Sequence, residues 1–575
     1  AKIPYLCLMI LFLSLLSTIL LCGTTVSKNP FLDLFKSTVF FFIYLQVSTT
    51  LLLFLGLLTP LSSTLTLAIP PLFFWKKQRS PLSLRAFLPF LPIFLLYLFI
   101  AIPPPFLRDS LTYHLSLSKQ YAEMGSFVQT DEVIFGLFPQ GWQAILAVFH
   151  SASSFEPLPF SPRLIAVFLT FGTAFGITGI LLEQKVERPW AVIAGIMFLL
   201  IPTNLEFGTS CYVQSWLVLL SFYTVYSFLK EEAAWKVGLL VGLLCSLKYS
   251  SLFWALLFGG VYLYRRKSWF FLASTLTGFP FYLRNILLKD NPIFPMAYSI
   301  FGGEGWDDWR AFIYDSTLQN YGMGREPLDY ILLPFRVVST TELYQDFEGS
   351  LGFGLGILLL ITVVSFKQLK RQEYWLLYFG LGWAFLWSFQ VQQIRFLMPA
   401  VPLFFLASVP IFSQRIPRAA PILLLSSLLG LLSPFQQLIL AQKPMLFFQE
   451  GREAFLETQL PENYPIYRYL NAQNTDKVWL VWMRGYHYYL DKPVRIDSVL
   501  EGFRLENLLQ KSSTATDLIQ AFKQENISHL AINWRFFLTD ENADRLGIGV
   551  TKILKTKFSA FVEQGVLVPE KQFGP

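Results

Sequence analysis

Charge, histidine and cysteine are all scarce in this sequence. Asp, Glu, Lys and Arg together make up 14% of its 575 residues, against roughly a quarter in an ordinary soluble domain. So few polar side chains do not suffice to clothe a surface of this size in water. The four cysteines, Cys7, Cys22, Cys211 and Cys245, lie in or beside apolar runs, and none makes a CxxC or Cys/His pattern. Neither a disulfide framework nor a zinc site is indicated. His487 and His529 have no second set of ligands nearby in the sequence and read as packed or surface residues. Internal repeats, low-complexity segments and matched halves with broken helices are also lacking, which counts against a secondary transporter.

What fills the chain instead is apolar: 54% hydrophobic and 17% aromatic residues, gathered in blocks of membrane-spanning length. The blocks predict helices near 4–23, 38–58, 61–75, 86–104, 163–184, 189–203, 213–229, 236–247, 250–264, 268–283, 351–366, 374–390, 396–412 and 419–440. That is an all-α polytopic membrane protein of about 14 spans, the first read as a retained helix. The formal charge of +7 sits mostly in short loops between these blocks, so topology accounts for it and no nucleic-acid partner is implied.

The positive residues also orient the chain. Lys76, Lys77, Arg79 and Arg85, then Lys185 and Arg188, Lys230 and Lys236, Arg265 to Lys267, Lys367 to Arg371, and Arg415 with Arg418 share the cytoplasmic side only if 138–154 does not cross. That stretch is therefore expected to lie along the membrane surface as a short amphipathic helix. The segment around Asp109, the loop 284–350, Lys248, Arg395 and everything after 440 then fall on the opposite, outer side. After 440, "KVWLVWM" and "ISHLAINW" read as buried strands and "ATDLIQAFKQEN" as a helix opened by Thr514 or Thr516, giving a small α/β domain.

Chemistry-bearing residues cluster on that outer side. Asp109 follows Arg108 and shares a helix face with Tyr113, so it is either a helix cap or a partly desolvated general base. His114 alone reads as an interfacial aromatic. Lys248, Arg284 and Arg395 stand at the outer ends of different helices, where each alone is an interfacial anchor. Three such cations facing one carboxylate look more like a phosphate site, for which the planar guanidinium is suited.

"RDSLTYHLSLSKQYAEMGSF…FPQGWQAIL", "TSCYVQSWLVLLSFY", "GLLCSLKYSSL", "LRNILLKDNPIFPMAYSIFGG", "RFLMPAVPLFFLA" and "VWMRGYHYYLDKPV" occur in an order that resembles bacterial GT-C glycosyltransferases, in the family-39-like branch of protein O-mannosyltransferases and aminoarabinose transferases. The resemblance implies extra N-terminal helices at 1–85, a transmembrane catalytic domain at 86–440 with outer loops 105–162 and 284–350, and an extracytoplasmic domain at 441–575. It implies an enzyme of the bacterial inner membrane with its active site on the periplasmic side, moving a sugar from a polyprenyl-phosphate donor to a lipid, glycan or protein acceptor. Asp109 falls on the position of the catalytic acid/base, and Lys248, Arg284 and Arg395 on positions of cations near the donor phosphate. Tyr113, His114, Gln143, Gln214 and Tyr249 complete the expected substrate-binding set. Gln143 and Gln214 replace acidic residues usual in the family, and an amide neither acts as a base nor holds a divalent cation well. A divalent metal is accordingly left open, no cofactor is assigned, and the alternative is a catalytically silent GT-C-like subunit of a membrane complex.

Overall fold

A computed structural model describes residues 29–74, 84–127, 133–152, 161–340, 347–446, 451–483, 485–498, 500–539 and 548–573. The expected run 4–23 lies outside these. Each of the other predicted runs contains a helix, among them Pro30–Phe54, Ser161–Glu183, Gln214–Leu229, Trp269–Lys289 and Ala420–Leu446. By length and composition, four helices among the described residues can cross a membrane: Pro30–Phe54, Pro162–Glu183, Ile394–Arg415 and Ala420–Leu440. Of the fourteen expected spans these four are clear among the described residues, and shorter apolar helices such as Arg188–Leu199 and Ala234–Cys245 stand at others.

Small residues let the helices approach closely. Gly172, Gly176 and Gly179 place a bare backbone stripe of Ser161–Glu183 against Pro30–Phe54; a Cβ on Gly176 would meet Phe35 Cδ2 at 2.6 Å, and one on Gly179 would meet the Leu32 nitrogen at 2.6 Å. In an apolar solvent such packing, rather than water exclusion, draws helices together. The Asn29 side chain accepts from Leu32 N at 3.3 Å and donates to the Gly179 carbonyl at 2.7 Å, which fixes the same contact at its end. Deeper in the bundle Gln46 ties three helices, accepting from Trp216 Nε1 at 2.7 Å and donating to Ser246 Oγ at 2.7 Å. Leucines such as Leu61, Leu263, Leu276, Leu287 and Leu432 face outward; lipid is the solvent that suits them.

The helix expected to lie on the membrane surface is Gly141–Ala152. It packs against Pro30–Phe54, Pro60–Phe74 and Leu115–Met124, and every residue from Gly141 to Phe149 is buried. Its polar positions serve internal partners: Gln143 meets His114, and Trp142 Nε1 donates to the Cys211 carbonyl at 2.8 Å. An amphipathic pattern here marks a polar cavity wall rather than a water–lipid boundary.

The C-terminal region forms a three-stranded parallel sheet, β1 (Lys477–Val481), β2 (Val494–Asp497) and β3 (Ile527–Ile532), in the order β2-β1-β3. Parallel pairing requires crossovers, and Arg504–Lys511 with Ala515–Gln524 supply the one from β2 to β3. Thr514 caps the second of these helices in a reciprocal box with Asp517. The sheet region docks on the bundle through Tyr489 Oη to the Pro105 carbonyl (2.6 Å), Lys119 to Asp491 (2.6 Å) and Glu501 to Ile134 N (3.0 Å). It thus sits at the end of the bundle that carries Asp109.

Candidate functional site

Asp109 opens a turn of wide helix, Ser110–His114, that continues into Leu115–Met124. Its carboxylate makes no capping bond to that helix. Instead it meets Arg395 Nη1 at 3.0 Å and hydrogen-bonds to the Tyr113 side chain, while its own N–H donates to Tyr212 Oη at 3.1 Å. The cap alternative therefore gives way to a buried ion pair, with Asp109 20% and Arg395 9% exposed.

Arg395 is held by the turn that precedes Val401–Arg415. Trp387 Nε1 donates to the Gln393 carbonyl at 2.9 Å and Trp383 Nε1 to the Phe396 carbonyl at 2.8 Å. These two indoles clamp the backbone on both sides of Arg395. The guanidinium lies against Phe396 and Tyr212, 4.8 and 5.0 Å from the ring centroids. Lys248, in extended backbone between Ala234–Cys245 and Leu252–Tyr264, brings its Nζ to 3.5 Å from the Phe396 ring centroid. Phe396 is thus in contact with both basic side chains.

These neighbours set the charge states. Burial pushes the Asp109 carboxyl up, but Arg395, followed by His114, Arg108 and Lys248, outweighs burial and leaves it below the usual carboxylate range. His114 is driven to about 3 by burial and is neutral at physiological pH. Burial, joined by Arg395, pulls the Lys248 ammonium well below its ordinary value. Glu206 is raised to about 8 by burial and by the nearby Glu348. One carboxylate is kept charged and another is kept protonated around the same guanidinium, Arg395.

Arg284 occupies a second lobe. It donates to the Phe138 carbonyl at 3.1 Å and to Asn285 Oδ1. It also borders an apolar groove of about 600 Å³ lined by Phe54, Leu276, Phe279, Leu283 and Leu287 among others. A wall of rings joins the lobes: Tyr113 stacks on Phe135 at 4.7 Å, Phe135 meets Phe138 at 5.3 Å, and Phe138 meets Tyr249 at 5.0 Å.

No family model and no curated protein matches the chain. Among the solved structures that do match is ArnT from Cupriavidus metallidurans, crystallised with undecaprenyl phosphate bound, with a TM-score of 0.51 and 12% identity over 78% of this chain and 90% of that one. The chain has a GT-C glycosyltransferase fold. With its apolar helices, that makes it a membrane-embedded protein. At 12% identity the likeness concerns the fold and leaves chemistry to the residues.

Within this GT-C fold, the sequence-predicted residues divide into three groups. Asp109, Tyr113, His114, Gln143, Lys248 and Arg395 form one cluster of contacts: Asp109 meets Arg395 and Tyr113, Lys248 and Arg395 both lie against Phe396, Gln143 Nε2 lies 3.3 Å from His114 Nδ1, and Gln143 Oε1 is buried without a hydrogen-bond partner. Arg284 and Tyr249 form the second lobe, where Asn285 Nδ2 donates to Tyr249 Oη at 2.7 Å. Gln214 belongs to neither; it lines a small polar cavity with Thr170, Asn204 and Ser215, and its Nε2 is buried without a partner. Among the described residues no three His, Cys, Asp or Glu side chains gather as a metal-holding group.

Sequence reasoning missed Tyr212, Glu206, Glu348 and Gln393. Glu206 carried a readable signal, being the one acidic residue between Arg188 and Lys230, and a carboxylate in such a setting is a functional candidate. Glu348 and Gln393 carried none, because their importance comes from a tertiary contact.

Proposed function

We propose that this chain is a membrane glycosyltransferase that moves a sugar from a polyprenyl-phosphate donor to an acceptor hydroxyl on the extracytoplasmic side, with Asp109 as the general base. The observation that carries this reading is the buried Asp109–Arg395 pair at 3.0 Å with Lys248 close by: a proton acceptor set beside two anion-binding groups. The GT-C fold it shares with ArnT, a protein crystallised with undecaprenyl phosphate, supports a lipid-linked donor.

In the proposed reaction the acceptor oxygen attacks the anomeric carbon as the bond from that carbon to the phosphate oxygen breaks. The hydroxyl proton passes to Asp109, and the electron pair of the broken bond leaves on the phosphate, next to Arg395 and Lys248. Attack opposite the leaving group inverts the anomeric carbon. An arriving phosphate also compensates Arg395, so the field that keeps Asp109 acidic weakens and its basicity rises when the donor is bound. The same anion favours the protonated form of Lys248. Neutral His114 and Gln143 provide hydrogen-bonding groups for sugar or acceptor hydroxyls, and the apolar groove beside Arg284 is suited to a polyprenyl tail.

One observation favours a second reading, a catalytically silent subunit: Gln143 and Gln214 are amides, and Asp109 is already neutralised by Arg395. Purified protein with undecaprenyl-phosphate-linked sugars separates the two. A transferase loses turnover in Asp109→Asn while still binding undecaprenyl phosphate, whereas full turnover in that variant would remove Asp109 from the mechanism.

A further inference from the structure

Arg395 has five N–H bonds, and the structure engages three. Nη1 faces Asp109 at 3.0 Å, while Nε and Nη2 both donate to Gln393 Oε1, at 3.1 and 2.9 Å. One N–H on each terminal nitrogen is left for a ligand. Gln393 cannot turn freely, because its own Nε2 donates to a Glu348 carboxylate oxygen. The order Glu348, Gln393, Arg395, Asp109 is a single hydrogen-bonded chain.

Glu348 is itself fixed by unusual backbone. Its φ is +42°, a left-handed conformation that non-glycine residues adopt rarely and at some strain. The neighbouring backbone is tied down on two sides. The Phe347 carbonyl accepts from Ile394 N at 2.8 Å; the Ser350 carbonyl accepts from Thr203 Oγ1 at 2.8 Å, and Ser350 N donates to that same hydroxyl at 2.9 Å. Gly349 has no room for a side chain, since a Cβ there would meet Thr203 Oγ1 at 2.7 Å. The segment is thus wedged between the turn carrying Arg395 and the helix Pro202–Phe207 carrying Glu206. Glu206, 5% exposed, has an Oε2 without a hydrogen-bond partner.

We propose that Glu348 is a positioning residue that acts through Gln393 to set the roll of the Arg395 guanidinium, so that one terminal nitrogen serves Asp109 while free N–H groups remain for the donor phosphate. The inference rests on the phosphate role proposed for Arg395. Without the bridge, the guanidinium is free to swing into a bidentate pair with Asp109, which matches its fork. Both groups would then be withdrawn from substrate.

The test is a double-mutant cycle on the full chain in nanodiscs, read as the Kd for undecaprenyl phosphate, with thermal unfolding as a check on folding. Glu348→Ala and Gln393→Leu should each weaken binding about tenfold, the scale of a lost hydrogen bond to a charged group. Glu348→Gln, which keeps an acceptor for Gln393, should stay within about threefold of wild type. In an Arg395→Ala background Glu348→Ala should bring no further loss, since a residue acting through Arg395 has nothing left to position. Additive losses would show a general structural role and overturn the inference, as would wild-type binding in Glu348→Ala. Equal losses in Glu348→Gln and Glu348→Ala would assign the effect to charge and overturn it too. Unchanged binding in Arg395→Ala alone would overturn the phosphate reading, and this inference with it.

Discussion

Two aspartates of this chain, one half-buried and one fully buried, are pushed in opposite directions. Asp109 lies beside Arg395 and ends below the usual carboxylate range despite its burial. Asp497, at the end of β2, is raised to about 7 by burial and by the neighbouring Glu506, even though it accepts from the backbone of Leu505 and Arg504. Burial raises both, so the partner decides: a guanidinium holds the carboxylate charged, and a second carboxyl favours the protonated acid. The first arrangement keeps a carboxylate ionised at neutral pH. The second is a structural cap, closing the start of helix Arg504–Lys511 in the C-terminal sheet region.

Substituting the two aspartates gives the widest contrast. Asp109→Asn should lower sugar transfer by about 10²–10⁴-fold, the usual worth of a positioned general base, with undecaprenyl phosphate binding retained; Asp497→Asn should leave turnover near wild type. Steady-state transfer assays on both check this, and comparable losses would erase the distinction. Next in size, Arg395→Ala leaves Asp109 buried without its partner, a change worth about 3–5 kcal/mol when such a pair is fully buried. Both aspartates are then governed by burial, so the acid limb of the transfer profile should move upward, along with a fall in thermal stability.

Stability against pH sharpens the contrast through its sign. Asp109 has a depressed folded value, so its contribution is present above the unfolded carboxylate value of about 3.9 and is lost as pH falls through the folded value. Asp497 has a raised folded value, so its contribution is complete below about 3.9 and is lost as pH rises toward about 7. Unfolding midpoints of wild type should therefore decline between these limits, and Asp497→Asn should flatten that decline. The smallest effect is expected in the second lobe. Arg284→Ala, distant from both carboxylates, should weaken undecaprenyl phosphate binding only severalfold, because the apolar groove remains.

Periodicity and hydropathy made much of this fold legible. The apolar runs became helices, and "KVWLVWM" and "ISHLAINW" became β1 and β3. β2, in "KPVRIDS", escaped notice because four residues with alternating charge give no apolar run. For 141–152 the pattern suggested an exposed polar face, whereas Gly141 to Phe149 are buried, because polar residues look the same in sequence whether they face water or internal partners. At the site, the charge of Asp109, Lys248 and Arg395 stood out against apolar surroundings, and topology put them on one side. Gln393 is two residues from Arg395, but both it and Glu348 are more than two hundred residues from Asp109, and only the folded backbone brings the Glu348 carboxylate to the Gln393 amide.

The central claim is that the Asp109–Arg395 pair, rather than the Arg284 groove, receives the phosphate of a lipid-linked donor. A cryo-electron microscopy map of the chain in nanodiscs with undecaprenyl phosphate tests it directly. The account predicts phosphate density within hydrogen-bonding distance of Arg395 and Lys248, with the tail running toward the apolar groove. Phosphate held at Arg284 while the Asp109–Arg395 pair stays closed and unreached would contradict it.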